Sequence, residues 1–514
     1  MNGRDNGHAN GHANGTDSSI DVVIIGAGIS GINAAYRLQT ECPNYSYTIL
    51  EARDDLGGTW DLFRYPGIRS DSDLYTFGFR FNPWTPKNPI AEGHMIKGYM
   101  RETAEKFGID KHMRFRHRLI SADWFSTENL WTLNIENDSH TKIVKARFIL
   151  FGSGYYNYKE PLEAKIPGLE NFQGQVIHPQ FWPEDLDYKK KKILIIGSGA
   201  TAITLLPNLA AQAERVTMIQ RSPTYVFSLP NNGNTLLLWW LVPFSWLLPK
   251  TLFKSIQRMA WLLAARFLFL FCRSFPSLSR WILKLRAKRQ LPSHIPHDPH
   301  FKPRYGPWEQ RLCVSPDGDF YKSLRSGKAD VRTDTIKTVT KKGITINSGE
   351  TLDADIIITA TGLKLQIAGG AVLSVDGKKI DIGSKYMWNG IMIQDLPNAA
   401  FFIGYTNASW TLGADATAQF VTRLLNSFES RKLIAATPRM NSQYAGEVQN
   451  RPLLNLSSTY INVADRVLPM AADRGPWQAR DHYRKDIKFS LYGKIDDQME
   501  YVHGSDLHVQ PKIA

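Results

Sequence analysis

Cysteine is scarce in this chain: Cys42, Cys272 and Cys313 are the only three among 514 residues. They lie far apart, so no Cys-x-x-Cys pair, zinc ribbon or disulfide framework can be drawn from them. That usage points to a reducing, intracellular setting. The N-terminus lacks the apolar run of a secretory signal. Apolar runs elsewhere fall short of the ~20 residues that cross a bilayer. Acid is missing from one long stretch: from Arg215 to His297 there is no Asp or Glu, against 12 Lys and Arg. The net charge of +14 resides mainly there, since 62 Lys and Arg less those 12 leave 50 against 48 acids. A surplus that local, set among Leu, Phe and Trp, excludes a nucleic-acid footprint as the leading reading.

What is present is an ordinary globular composition, 43% hydrophobic and 21% charged. At roughly 150 residues per domain the length suggests about three domains. Residues 1–18, MNGRDNGHANGHANGTDS, have almost nothing to bury and read as a disordered leader. His8 and His12 belong to its GHANGHANG near-repeat, and no metal site is expected from them or elsewhere.

From Ser19 the pattern changes. The β-branched run DVVII (21–25) stops at glycine, and KILII (192–196) does the same. Each is followed by a helix-like segment and then a second strand-like run, at Tyr47 to Leu50 and Val216 to Gln220. Strand, glycine turn, helix, strand is the βαβ unit of a parallel sheet. DIIITATG (355–362) adds another buried strand with a glycine stop. Beyond about residue 440 the pattern weakens.

The first turn is Gly26-Ala27-Gly28-Ile29-Ser30-Gly31, a G-x-G-x-x-G between strand and helix. Gly26 permits the tight turn, Gly28 lets a pyrophosphate approach the helix N-terminus, and Gly31 allows close helix–sheet packing. Glu51 ends the next strand, 20 residues past Gly31, where a carboxylate accepts from a ribose 2′-hydroxyl. The second turn is Gly197-Ser198-Gly199-Ala200-Thr201-Ala202. After its next strand stand Arg221 and Ser222 in place of an acid, which suits a 2′-phosphate. Two dinucleotide sites of opposite ribose chemistry suggest a flavoprotein that holds FAD in the first and NADPH in the second. Electron transfer to a disulfide needs a close cysteine pair, so oxygen chemistry is the leading option.

Between the two turns lies FQGQVIHPQFWP (172–183). It matches F-x-G-x-x-x-H-x-x-x-W-P at Phe172, Gly174, His178, Trp182 and Pro183. On this string the chain resembles the class B flavoprotein monooxygenases, and within them the Baeyer–Villiger monooxygenases. The stretches at 57–79, 305–313, 358–362 and 404–412 are similar to the branch of the ethionamide-activating monooxygenase. The resemblance covers roughly residues 20 to 500 and is weak at 229–290 and after 415.

The resemblance implies an α/β fold of two Rossmann-like domains with a helical insertion in the second. The expected division is 19–155 with 360–514 for FAD, 156–228 with 300–359 for NADPH, and 229–299 for the insertion. It implies that Gly57, Gly58, Thr59 and Trp60 lie along the flavin, and that His178 sits in a linker coupling cofactor binding to domain movement. It implies that Arg311 is the active-site arginine and Asp71, beside the flavin, the acid that pairs with it. NADPH would reduce FAD, and a C4a-peroxyflavin would insert one atom of O2 next to the carbonyl of a lipophilic ketone, or oxygenate a sulfide. The alternatives are an N- or S-oxygenating flavin monooxygenase, and a non-catalytic membrane-surface protein on the same fold. The apolar runs 235–249 and 259–272 are interrupted by Pro243 and Arg266. They read as a lid over the pocket, or as an in-plane membrane contact through 235–285, with a spanning hairpin as the remote third case. The expected location is intracellular, cytoplasmic or on a membrane surface.

Overall fold

The computed structural model describes residues 19–138, 140–231, 249–456, 461, 463–464 and 466–505. The leader 1–18 and most of the run 235–249 lie outside the described residues.

The β-branched runs become the strands they suggest. Strand β1 (Ile20–Ile25), helix α1 (Ile29–Glu41) and strand β2 (Tyr47–Leu50) form the first βαβ unit. Strands β1 and β2 are parallel, with Val22 opposite Tyr47 and Ile24 opposite Ile49. Helical turns α2 (Thr59–Leu62) and α3 (Leu74–Phe77) and helix α4 (Gly93–Lys106) follow. The sheet is completed by β3 (Met113–Arg114), β4 (His117–Phe125), β5 (Leu130–Asn137) and β6 (His140–Phe151). Strands β4, β5 and β6 run antiparallel as a meander, and β6 lies parallel to β1.

The second unit begins with β7 (Gln175–Ile177) and β8 (Lys192–Ile196), then α5 (Ala200–Ala210) and β9 (Arg215–Gln220). Next come β10 (Val226–Leu229), the long helices α6 (Lys250–Ser274) and α7 (Pro276–Gln290), and the turn α8 (His297–His300). Strand β11 (Cys313–Pro316) pairs with β10, and α9 (Asp319–Arg325) leads into β12 (Ala329–Thr333). A three-stranded meander, β13 (Ile336–Thr340), β14 (Gly343–Ile346) and β15 (Thr351–Asp353), precedes β16 (Ile356–Thr359). The order β12-β9-β8-β16-β7 is parallel throughout. Such a sheet is covered on both faces, which is why KILII and IIIT read as unbroken apolar runs.

The chain then returns to the first sheet. Strands β17 (Val372–Val375) and β18 (Lys378–Lys379) extend it beyond β4, and Ala399–Phe401 pairs with β6. Helix α10 (Trp410–Arg431) buries most of its surface and packs along α1. Beyond 440, where the sequence pattern fades, the structure still has a helix at Tyr483–Tyr492 and a strand, Met499–His503, that pairs with the earlier Leu433–Pro438. All three cysteines are buried free thiols.

The apolar insertion departs from its reading. Helix α6 runs unbroken for 25 residues, and by length and composition it is able to cross a membrane. The sequence reading had cut it at Arg266, but long basic side chains tolerate an apolar helix by extending their stems along it. One face is anchored to the fold. Arg258 donates to the carbonyls of Tyr75 and Gly78 at 2.7 and 2.9 Å, and buried Trp261 packs on Tyr75. The opposite face exposes Met259, Leu263, Phe267 and Leu270, at helical spacing.

The turn into α1 is the tightest joint of the first unit. A Cβ at Gly31 would stand 1.9 Å from the carbonyl oxygen of Gly26. Gly31→Ala is therefore expected to destabilise the protein by about 2–3 kcal/mol, the upper range for overpacking. Urea unfolding of the flavin-free protein measures this, and parental stability would refute the packing argument.

Candidate functional site

A cleft of about 1120 Å3 opens at the carboxyl ends of β1 and β2, where open α/β sheets bind ligands. Its floor is the first glycine turn. Gly26 has φ +102°, and a Cβ there would press on Gly152 O at 3.0 Å. Gly28 is different: a Cβ would meet only the Cα of Gly58, at 3.8 Å. That space is open toward the α1 N-terminus, which has no side-chain cap and so presents unpaired N–H groups to an anion.

Glu51 is buried on the cleft wall. Its Oε2 accepts from Ala27 N–H at 2.8 Å and its Oε1 from Arg53 N–H at 3.0 Å. Burial pushes its carboxyl upward, opposed by these two donors and by Arg53. Each oxygen keeps acceptor capacity for a hydroxyl. Gly57 and Gly58 have φ +126° and +56°, and Thr59 and Trp60 open the turn α2 rather than extending a loop. All four line the cleft. So do Arg53, Tyr158, Arg118 and Trp410, which sequence reasoning missed. Tyr158 faces Thr59 at 3.4 Å, and Trp410 Nε1 donates to Ser30 Oγ at 3.0 Å. Only the 404–412 stretch offered a signal, for Trp410.

The second glycine turn repeats the geometry. Gly197 has φ +131°, and a Cβ would strike Ala360 O at 2.2 Å, whereas Gly199 faces open space. Ala202, in the place of a third glycine, is fully buried. Ala200 starts α5, while Thr201 lines the first cleft and bonds to Tyr65 there. A residue of the second turn thus faces the cleft built on the first. At the end of β9, Gln220 turns inward to His300 O and Thr333 Oγ1. Arg221 is left as the exposed counterpart of Glu51, beside exposed Ser222, whose carbonyl accepts from Ser198 Oγ at 2.8 Å.

The F-x-G-x-x-x-H-x-x-x-W-P string builds the edge of the second sheet. A Cβ at Gly174 would lie 2.4 Å from Asp355 O and 2.6 Å from the Phe172 ring, so β7 docks on β16 only with glycine there. His178 Nδ1 accepts from Gln180 N–H at 3.2 Å, capping the 3-10 turn Pro179–Phe181. Burial holds its imidazole below the ordinary value, so it stays neutral at pH 7. Trp182 packs against the core of the second sheet, and Pro183 follows it.

Arg311 and Asp71, 240 residues apart in the chain, line the same cleft. Arg311 Nη2 donates to Tyr405 O at 2.9 Å. Asp71 is partly screened, and burial raises its carboxyl against the favourable charges of Arg69 and Arg311. The structure therefore brings a cation and an acid with a raised pKa to one cavity, large enough for a dinucleotide and floored by the first glycine turn.

Residues 79–388 match the family model of flavin-binding monooxygenase-like proteins, and residues 24–86 match an NAD(P)-binding Rossmann-like domain. The FAD-containing monooxygenase EthA of Mycobacterium tuberculosis (strain ATCC 25618 / H37Rv) is 46% identical over 486 residues, covering 93% of this chain and 96% of that protein. In fold the chain is similar to an oxidized steroid monooxygenase bound to NADP, with a TM-score of 0.73 at 18% identity, covering 95% of this chain and 100% of that one. It is also similar to an ε-caprolactone-bound cyclohexanone monooxygenase, with a TM-score of 0.71 at 19% identity over 94% and 100% of the two chains. With the family model spanning more than half the chain and a relative this close along nearly its whole length, the chain belongs to the flavin-binding monooxygenase-like family and is an FAD- and NADPH-dependent monooxygenase.

Proposed function

We propose that this enzyme inserts one oxygen atom from O2 next to the carbonyl of a lipophilic ketone, giving an ester or lactone, and that it also oxygenates sulfides. The observation that carries this reading is the placement of Arg311 and Asp71 on the wall of the flavin-sized cleft. Bound FAD supplies hydride acceptance from NADPH and the reaction with O2. We assign the flavin to residues 19–155 with 360–514, NADPH to 156–228 with 300–359, and the insertion to 229–299.

In this reading the first glycine turn and the α1 N-terminus hold the flavin pyrophosphate, Glu51 the ribose, and Gly57 to Trp60 the ring side. Gly197, Gly199 and Ala200 to Ala202 hold the second pyrophosphate, with Arg221 and Ser222 on the 2′-phosphate. Phe172 to Pro183 set the edge along which the two parts meet. Arg311 keeps its charge at every working pH, so it stabilises the oxyanion that develops as a carbonyl carbon is attacked. Asp71, as a carboxylate, orients it. Trp60, Phe63, Tyr65 and Phe77 give the cleft its apolar lining and limit water there.

The test is product analysis with 18O2. Ester carrying one labelled oxygen atom from a ketone panel supports the reading. Sulfoxide with no ester would move the enzyme to the heteroatom-oxygenating class, and protein without flavin would sink both. Arg221→Ala is expected to raise KM for NADPH by at least about tenfold while leaving KM for NADH within about twofold, the loss of one charge-assisted phosphate contact. Steady-state kinetics with both cofactors checks it, and an equal effect on the two would refute the phosphate role.

The exposed face of α6 supports a peripheral contact with an anionic membrane. Phe267 is 71% exposed and Trp281, on α7, 57%. Arg266 and Arg273 on α6 and Arg280 and Lys284 on α7 add basic charge beside that face, and the stretch 215–297 holds no acid. An apolar stripe with basic flanks lies in the interface plane, and the anchored face of α6 opposes full insertion. Phe267→Asp with Trp281→Asp is expected to abolish flotation with phosphatidylglycerol vesicles at low salt. Parent protein that stays with the soluble fraction would defeat the proposal.

A further inference from the structure

Arg69 stands at the junction of the two sheets, and no motif singled it out. Its backbone bridges to Glu92, and its side chain is only 8% exposed. Nη1 donates to Asp319 Oδ2 at 2.5 Å, and Nη2 donates to the Val314 carbonyl at 3.3 Å. Both acceptors belong to the other side of the junction. Val314 lies in β11, three residues past Arg311, and Asp319 opens α9. The remaining donor, Nε, is buried with no partner among the described residues, and the side chain lines the cleft. A buried guanidinium is costly unless paired, and here the pairing comes from Asp319, across the junction. The planar fork reaches a carboxylate and a carbonyl together, which a lysine ammonium does not.

Two residues further on is Asp71. The groups facing it are Arg69 and Tyr65 from its own segment, Arg311 across the junction, and Cys313 at the start of β11. The Cys313 thiol is pushed up to about 12 and stays neutral. Arg69 and Arg311 are therefore the charges that favour the carboxylate, with Arg69 the stronger.

We propose that Arg69 is a positioning residue for oxygenation: it ties the strand after Arg311 to the segment carrying Asp71, and it sets a cation near that acid. The two effects separate, since the tether needs the fork and the effect on the acid needs only the charge. The proposal rests on the reading of Arg311 and Asp71 given above.

The test uses full-length, flavin-loaded enzyme and compares Arg69→Gln, Arg69→Lys and Asp319→Asn with the parent. Three quantities are read: anaerobic flavin bleaching by NADPH, ester formed per NADPH consumed with 2-decanone, and the pH dependence of that yield. Arg69→Gln is expected to leave bleaching within about twofold and to cut the ester yield at least about tenfold, as misplacement of a catalytic group does. It also removes a cation from Asp71, which raises the carboxyl's pKa. The yield is then lost at a higher pH on the acid side. Arg69→Lys restores the pH limb but not the yield, and Asp319→Asn lowers the yield without moving the limb. Parental yield and pH limb in Arg69→Gln would overturn the proposal, as would identical limbs in the Gln and Lys variants. Should Arg69→Gln lose its flavin, parental yield in both remaining variants overturns it. A parent that bleaches with NADPH yet oxygenates neither 2-decanone nor methyl phenyl sulfide brings down the underlying reading instead.

Discussion

The structure depends on the close approach of backbone to backbone at two glycine turns. In each, a strand must end, reverse and open a helix within six residues. Gly26 with Gly31, and Gly197 alone in the second unit, occupy places where a Cβ would overlap a carbonyl oxygen or crowd it. The middle glycines, Gly28 and Gly199, meet open space. The outer positions thus close the joint, and the inner ones leave a helix N-terminus bare for a phosphate. Everything that makes the cleft a cofactor site follows from that division.

The charged groups near the cleft obey a second constraint. Asp61, Glu51 and Asp71 each lie at least partly out of water and each has a different compensation. Asp61 is paired with Arg53 and Lys97. Glu51 is held by backbone N–H groups. Asp71 has cations near it, and burial still raises its carboxyl. A carboxyl raised by burial on a cleft wall is a candidate for binding or chemistry, and both Glu51 and Asp71 meet that description. The insertion shows the same economy at a larger scale. Helix α6 spends one face on Arg258 and Trp261, which grip the segment just after Asp71 and Asp73. Its other face remains apolar and exposed.

Much of the fold was legible because its determinants are local. DVVII, KILII and DIIITATG end at glycine and became parallel strands at those places. Glu51 and Arg221 were legible as counterparts because each follows the second strand of a βαβ unit, and the structure keeps them at those strand ends. Thr201 shows what a motif leaves out: it belongs to the second turn, yet the packing of α5 also brings it to Tyr65 in the first cleft. Helix α6 was underestimated because a charge inside an apolar run was taken as an end, although a long basic stem need not break a helix. Tyr158 carries no periodic or motif signal, and Arg69 and Trp410 lie in the stretches 57–79 and 404–412 without a role assigned there; their neighbours alone revealed what they do.

The sequence by itself determined the two glycine turns, the acid that follows one and the arginine that follows the other, and the string at 172–183, because each is a short-range pattern whose physics is contained in neighbouring residues. Tertiary structure alone decided that Arg311 and Asp71 line one cleft, at the first turn, and that Arg69 bridges the segments that carry them. Those relations join residues 240 or more apart in the chain, as Asp71 with Arg311 and Arg69 with Asp319. Contacts at that separation are set by how two sheets pack, a property no local window of residues contains.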